Sequence, residues 1–216
     1  MLNNNQKKFL FKNMKYSKII MLGDLGYQLP PIKGVEMTQK GFDNVVELTT
    51  NYRFKCEILK TLLDDMRNCI KNKVKVQLKA YRKHLNVVSM DEVEKLYQKD
   101  DLILVSQHWV NDQYNKMLQH IPKYKVTDNL NGYNNGEIVF EKIPKVKSEF
   151  RHGYTVHSIQ GETHRNKLFI DMNDINSDRM LYTAISRAVR LEDVYFVKRL
   201  SLDTKKRLKK EYNILT

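Results

Sequence analysis

The 216 residues predict an α/β fold built on a largely parallel sheet. Short apolar runs of strand length, at 18–22, 45–48, 102–106, 168–171 and 194–197, alternate with stretches of helical periodicity near 54–70, 91–98, 109–119, 178–189 and 201–212. Strands that alternate with helices pack as parallel sheets with crossover helices. One stretch, 121–149, breaks the rhythm: it holds Asn131-Gly132, Asn134-Asn135-Gly136 and two prolines, so a small β-hairpin-rich insertion is expected there.

Each element has its own signal. The lysine-rich start reads as a helix with an apolar face of Leu2, Phe9, Leu10 and Met14. The run Lys18-Ile19-Ile20-Met21-Leu22 ends at Gly23, as a strand entering a turn would. Between 54 and 70, positions 56, 59, 63, 66 and 70 trace one helix face, which makes Cys56 and Cys69 core residues rather than a redox pair. Leu85-Asn86-Val87-Val88-Ser89 looks like an apolar strand, and Ser89 with Glu92 three residues later reads as a capping box opening the next helix. In 178–189, Leu181, Ile185 and Ala188 are expected to face inward.

Apolar residues make up 41%, which excludes collagenous, disordered and disulfide-scaffold classes. No apolar run approaches bilayer length, and the first residues lack a signal-peptide core, so a soluble, intracellular protein with no membrane partner is expected. The net charge of +13 is unevenly placed. Residues 1–18 carry five lysines and no acid, 198–216 carry seven bases against Asp203 and Glu211, and 67–83 carry seven bases without an acid. Such runs bind polyanions if they share a face, and are otherwise solvated helix faces.

Ligands of such sheets sit at the carboxyl ends of the strands, and four places carry chemistry, three in turns and the fourth inside an amphipathic helix. Gly23-Asp24-Leu25-Gly26-Tyr27-Gln28-Leu29-Pro30-Pro31 is a rigid turn whose amide, Gln28, could hydrogen-bond a phosphate oxygen or an attacking water; it could equally be a tight turn alone. Thr49-Thr50-Asn51-Tyr52-Arg53 places Arg53 where a strand passes into a helix, as an anion ligand or a solvated arginine. Gly153-Tyr154-Thr155-Val156-His157-Ser158-Ile159-Gln160-Gly161-Glu162-Thr163 gathers hydroxyls, an imidazole and an amide, suited to phosphates and sugar hydroxyls or to a polar capped turn. In Leu181-Tyr182-Thr183-Ala184-Ile185-Ser186-Arg187-Ala188, Arg187 is either a surface arginine or a finger aimed at a phosphate.

In order and spacing these four resemble motifs III to VI of the superfamily 1 helicases, most closely the RecD/Pif-type branch, over about residues 17–198. The resemblance implies a RecA-like sheet with flanking helices, the helicase second domain, with the insertion standing where the family has a small SH3-like subdomain. It implies that Gln28 senses the γ-phosphate, that Arg53 and Arg187 stabilise transferring phosphoryl charge, that Gln160 and Gly161 line the nucleotide cleft beside Asp24, and that Glu162 holds the ribose. Thr155, His157 and Ser158 would touch single-stranded nucleic acid, DNA in preference to RNA. Ser106-Gln107-His108 matches a family element that offers a helix N-terminus to a backbone phosphate, against which stands simple N-capping by Ser106. ATP with magnesium is the implied cofactor, and 5′-to-3′ the implied polarity.

Two family elements are missing from these residues. No glycine begins a Gly-x-x-x-x-Gly-Lys-Ser/Thr cradle, and the Asp91-Glu92 pair follows the motif III-like turn, whereas the family's acidic pair precedes it. The expectation is therefore the C-terminal half of a helicase, with 1–46 the end of a first RecA-like domain and 47–216 the second. It would need an N-terminal half to supply the cradle and acidic pair, and would bind no nucleotide stably alone. The alternative is a degenerate single-strand-binding module that does not hydrolyse ATP.

Overall fold

The computed structural model describes residues 4–14, 18, 20, 22–24, 26–27, 29–30, 43–47, 52–129, 132–173, 175 and 177–198. The lysine-rich start forms α1 (Asn4–Asn13). Helix α2 (Glu57–Lys71) buries Leu59, Leu62, Leu63 and Met66, while Cys56 and Cys69, both free thiols, lie half-buried against the core. A 3-10 turn at Lys79–His84 leads to β1 (Asn86–Ser89), α3 (Met90–Leu96), β2 (Leu102–Val105) and α4 (His108–Met117). Strands β3 (Tyr124–Val126), β4 (Ile138–Val139) and β5 (Ser148–Phe150) follow. Then come β6 (Gly153–Thr155), β7 (Leu168–Asp171), α5 (Asp178–Ile185) and β8 (Val194–Lys198).

The main sheet has the order β1-β8-β7-β2-β6, with every neighbouring pair parallel. Both faces are covered, which is why the central strands are near-continuous apolar runs, Leu-Ile-Leu-Val and Leu-Phe-Ile-Asp. On one face Leu104 and Ile170 pack with Leu59, Leu63 and Met66 of α2 and Leu181 and Ile185 of α5. On the other, Ile103, Val105 and Phe169 pack with Val93 of α3 and Val110 and Tyr114 of α4. No helix among the described residues is long and apolar enough to cross a membrane.

The interrupted stretch is a three-stranded antiparallel sheet of order β4-β3-β5. It is closed at its base. Lys123, just before β3, donates from Nζ to the Tyr97 hydroxyl at 3.0 Å and to the Asp101 carbonyl; His152, just after β5, has Nδ1 3.1 Å from the same hydroxyl. Both side chains are buried. Burial pushes the Lys123 ammonium down to about 8, and burial together with the Lys123 charge pushes the His152 imidazole down to about 4.

Several elements differ from expectation. Residues 45–47 take no strand, and Val45 and Val46 are exposed; nor do the described members of 18–22, namely 18, 20 and 22, although Leu48, Ile19 and Met21 lie outside the described residues. Apolar content alone does not make a strand without a ladder to join. The 201–212 helix also lies outside them. Helix α5 stops at Ile185 instead of 189 because Ser186 Oγ and Arg187 Nε both turn back onto the Thr183 carbonyl, at 2.9 and 3.0 Å, and compete with the helical ladder. Leu181, Ile185 and Ala188 are buried as expected, and so is every other residue from Met180 to Ile185. The capping box is present as read, with Ser89 Oγ accepting from Glu92 N–H and Glu92 reaching back to Ser89 N–H.

Candidate nucleotide and single-strand site

The parallel pairing of β2 with β6 decides which polar residues meet. Val105 is paired with Thr155, and the Val156 N–H donates to the Val105 carbonyl at 3.1 Å. Ser106-Gln107-His108, leaving β2, and His157-Ser158, leaving β6, therefore emerge side by side at the carboxyl ends of strands about 4.8 Å apart. Thr155 and His157 are half-buried, and Ser158 is exposed, its N–H and Oγ both donating to the Thr155 carbonyl. Burial lowers the His157 imidazole, so it is neutral at physiological pH. Helix α4 begins after Gln107, which is its N-cap residue without a side-chain cap bond. Capping by Ser106 is thus not what starts the helix, and the Ser106 hydroxyl is buried without a partner.

Two asparagines that sequence reasoning passed over hold this edge together. Asn111 Oδ1 accepts from Gly153 N–H at 2.8 Å, and Asn115 Oδ1 accepts from His152 N–H at 2.8 Å. One helical turn apart, they stitch α4 to the start of β6, and a Cβ at Gly153 would stand 2.5 Å from Asn111 Oδ1. Their i, i+4 spacing on the buried side of α4 was the available signal.

The arginines converge at Ser186. Arg53, exposed ahead of α2, donates from Nη1 to the Ser186 carbonyl at 3.3 Å, and the Lys55 N–H donates to the Val189 carbonyl at 3.3 Å. Arg187 is 1% exposed, which excludes the surface-arginine alternative. Its Nε donates to the Thr183 carbonyl at 3.0 Å, Nη1 to the Glu162 carbonyl at 2.9 Å and Nη2 to Ser186 Oγ at 2.8 Å. Burial, reinforced by the Arg53 charge, lowers its guanidinium to about 10, so it remains charged. The turn after β6 is thereby fastened to the end of α5. Within that turn Gly161 adopts φ +100°, a backbone that side chains disfavour, and Glu162 is exposed.

The glycine-rich turn is drawn into the same group. Asp24 accepts from Arg67 Nη2 and from the Tyr182 hydroxyl, each at 3.1 Å, so its carboxylate bridges α2 and α5. Gln160 Nε2 donates to the Leu29 carbonyl at 3.3 Å. Gln28 itself lies outside the described residues.

This donor set fits one end of a nucleotide. Beside the glycine turn, the exposed Arg53 guanidinium suits a phosphate oxygen, while the buried Arg187 contributes its charge from behind its protein acceptors. Magnesium is a different matter: among the described residues no group of three His, Cys, Asp or Glu side chains stands close enough to hold a metal. A separate cleft of about 480 Å³ opens between the small sheet and the turn after β6, lined by Ser158, Glu162 and Arg187 together with Lys123, Tyr154 and Phe140. Arg53, Asp24 and Gln160 do not line it.

No protein-family model and no curated protein matches the sequence. The structure is similar to the Pif1 helicase from Candida albicans, with a TM-score of 0.54 and 11% identity over 85% of this chain and 66% of that one. It also matches the Pif1 helicase from Bacteroides in complex with ADP-AlF3 and ssDNA, at a TM-score of 0.48 and 17% identity over 78% of this chain and 57% of that one. At such identity the likeness to the Candida protein is one of fold, and the fold is the expected one: a parallel sheet flanked by helices on both faces, with a small antiparallel sheet beside it, as in part of a Pif1 helicase.

Proposed function

We propose that the chain is the C-terminal half of an ATP-dependent superfamily 1 helicase. It supplies arginines to a nucleotide cleft and contacts to single-stranded DNA, and it takes the phosphate cradle and the Asp-Glu pair from another polypeptide segment. The observation that supports this reading is the convergence of Arg53 and Arg187 on Ser186, beside the Gly161 turn. Arg187 is bonded to carbonyl and hydroxyl oxygens rather than to a carboxylate, so these bonds leave its charge unneutralised.

Bound ATP with magnesium supplies the phosphoryl group whose transfer to water releases the free energy. The chain's own residues then divide the work. Arg53 and Arg187 stabilise negative charge on the transferring group, Gln160 and Gly161 line the cleft, and Glu162 holds the ribose. Gln28 couples the γ-phosphate position to the strand. Asp24 contributes by holding its turn against α2 and α5. Ser106, Gln107 and His108 together with Thr155, His157 and Ser158 form the single-strand edge.

A second reading is favoured by one specific observation: all three nitrogen positions of Arg187 are committed to protein acceptors and the side chain is buried. That suits a binding module that does not hydrolyse ATP. The deciding experiment mixes this chain with a polypeptide carrying a Gly-x-x-x-x-Gly-Lys-Ser/Thr cradle and an Asp-Glu pair, and measures ATP hydrolysis with and without single-stranded DNA. Turnover should appear only in the mixture, and Arg53→Ala should lower it on the order of 10³-fold. Single-strand binding without turnover would sink the helicase reading in favour of the second.

A further inference from the structure

Trp109 is the chain's sole tryptophan, and it sits in the first turn of α4 with 51% of its surface exposed. The buried side of this helix is made by Val110, Asn111 and Tyr114, so packing of the helix on the sheet does not account for an indole at 109. An aromatic ring normally contributes most by leaving water, and an exposed one marks a contact surface when polar groups surround it. Here the ring is also held. Its Nε1 donates to Gln107 Oε1, so the Gln107 amide orients the indole and is not spent on capping the helix. Trp109 directly follows Ser106, Gln107 and His108 in the chain, and the Val105–Thr155 pairing sets the start of that segment beside the point where His157 and Ser158 leave β6.

We propose that Trp109 is a stacking platform for one base of a single strand running along this edge. The proposal rests on the reading of the edge as a single-strand track, and adds to it a contact with the base rather than with the phosphate. Every base has a π-face, so the contact is tolerant of sequence. It displaces no counterions, so it persists where lysine and arginine contacts are screened. A neutral indole oriented by an amide suits a base, and it stands one residue past the helix start that the resemblance assigns to a backbone phosphate.

The test uses the full chain and its own fluorescence, excited at the red edge where tyrosine does not absorb. An oligothymidylate should quench Trp109, and an abasic oligonucleotide of equal length and charge should not. By fluorescence anisotropy with labelled oligothymidylate, Trp109→Ala should weaken binding about 5- to 100-fold without changing the slope of affinity against salt, whereas Trp109→Phe should retain most of it. Wild-type binding without quenching, equal affinity for the abasic strand, or a Trp109→Ala variant that binds as the wild type does would each overturn the proposal while leaving the track standing. Absence of any wild-type binding to either strand would overturn the track, and the stacking site with it.

Discussion

Gly153→Ala should destabilise the chain strongly in one background and hardly at all in another. The added Cβ would stand 2.5 Å from Asn111 Oδ1 and 3.3 Å from its Cγ, but 3.5 Å from its Cα. The first two atoms belong to the carboxamide and the third is an ordinary van der Waals contact, so the obstruction is the Asn111 side chain alone. In the wild-type background the carboxamide must move and give up its 2.8 Å bond to the buried Gly153 N–H, a combined cost of about 2–4 kcal/mol. Asn111→Ala alone orphans the same N–H and costs about 1–3 kcal/mol. In the double variant the bond is already gone and the space is open, so adding the methyl should cost less than about 1 kcal/mol. Backbone strain does not enter, because Gly153 is not in the left-handed region. The four proteins would be unfolded in urea and followed by far-ultraviolet circular dichroism. With a slope of about 1–3 kcal/mol per molar, the coupling of about 1–3 kcal/mol is a midpoint difference on the order of 1 M. Strictly additive costs would refute the claim that close approach of α4 to β6 fixes glycine at 153.

Stability should fall as pH drops from about 6.5 toward 4, because burial holds the folded-state pKa of His152 and of His164 at about 4, so the unfolded chain takes up these protons first. Unfolding free energies from urea titrations at pH 7.5 and 4.5 should differ by about a few kcal/mol at most, and no difference would refute the buried-neutral assignment. The same logic applied to Lys123, lowered to about 8, predicts stability rising between pH 8 and 10.5, measurable in the same way and abolished in Lys123→Met. Ser89→Ala should cost about 1 kcal/mol through loss of the capping box, read from thermal unfolding. The isolated chain should hydrolyse no ATP above background, since the cradle lysine and magnesium carboxylates are not among its residues, and a colorimetric phosphate assay decides it.

The core strands were legible because a strand buried on both faces leaves a short continuous apolar run, and 102–105, 168–171 and 194–197 carry little else. Strand β6 was not. Gly153-Tyr154-Thr155 has no apolar run; it is a strand through its parallel pairing with β2, and Asn111 and Asn115 accept from the backbone at and just before its start. That is tertiary information, absent from local pattern. The runs at 18–22 and 45–48 show the opposite error: strand-like composition in segments whose described residues pair with nothing. For the site, the turns were legible from residue type, but their joining was not. Nothing local says that Arg187 would bond the Glu162 carbonyl, or that Lys123 and His152, 29 positions apart, would meet at Tyr97.

The acceptors that hold Arg187 have an evolutionary consequence. Two of its three bonds end on main-chain carbonyls, those of Thr183 and Glu162, and a carbonyl is carried by every amino acid. Substitution at 162 cannot delete its acceptor, and Glu162 is exposed, so folding by itself places no demand on the side chain there, whatever the proposed ribose contact demands. Position 187 has no such freedom: lysine reaches one carbonyl where arginine reaches both, so the bond across to the Glu162 carbonyl or the one back to Thr183 is lost, and with it the planar fork that spans them. A saturation library scored for folded protein should therefore accept most residues at 162 and little besides arginine at 187. The two ends of one interaction would then differ sharply in what folding alone tolerates, and the arginine would be the end that marks the joint.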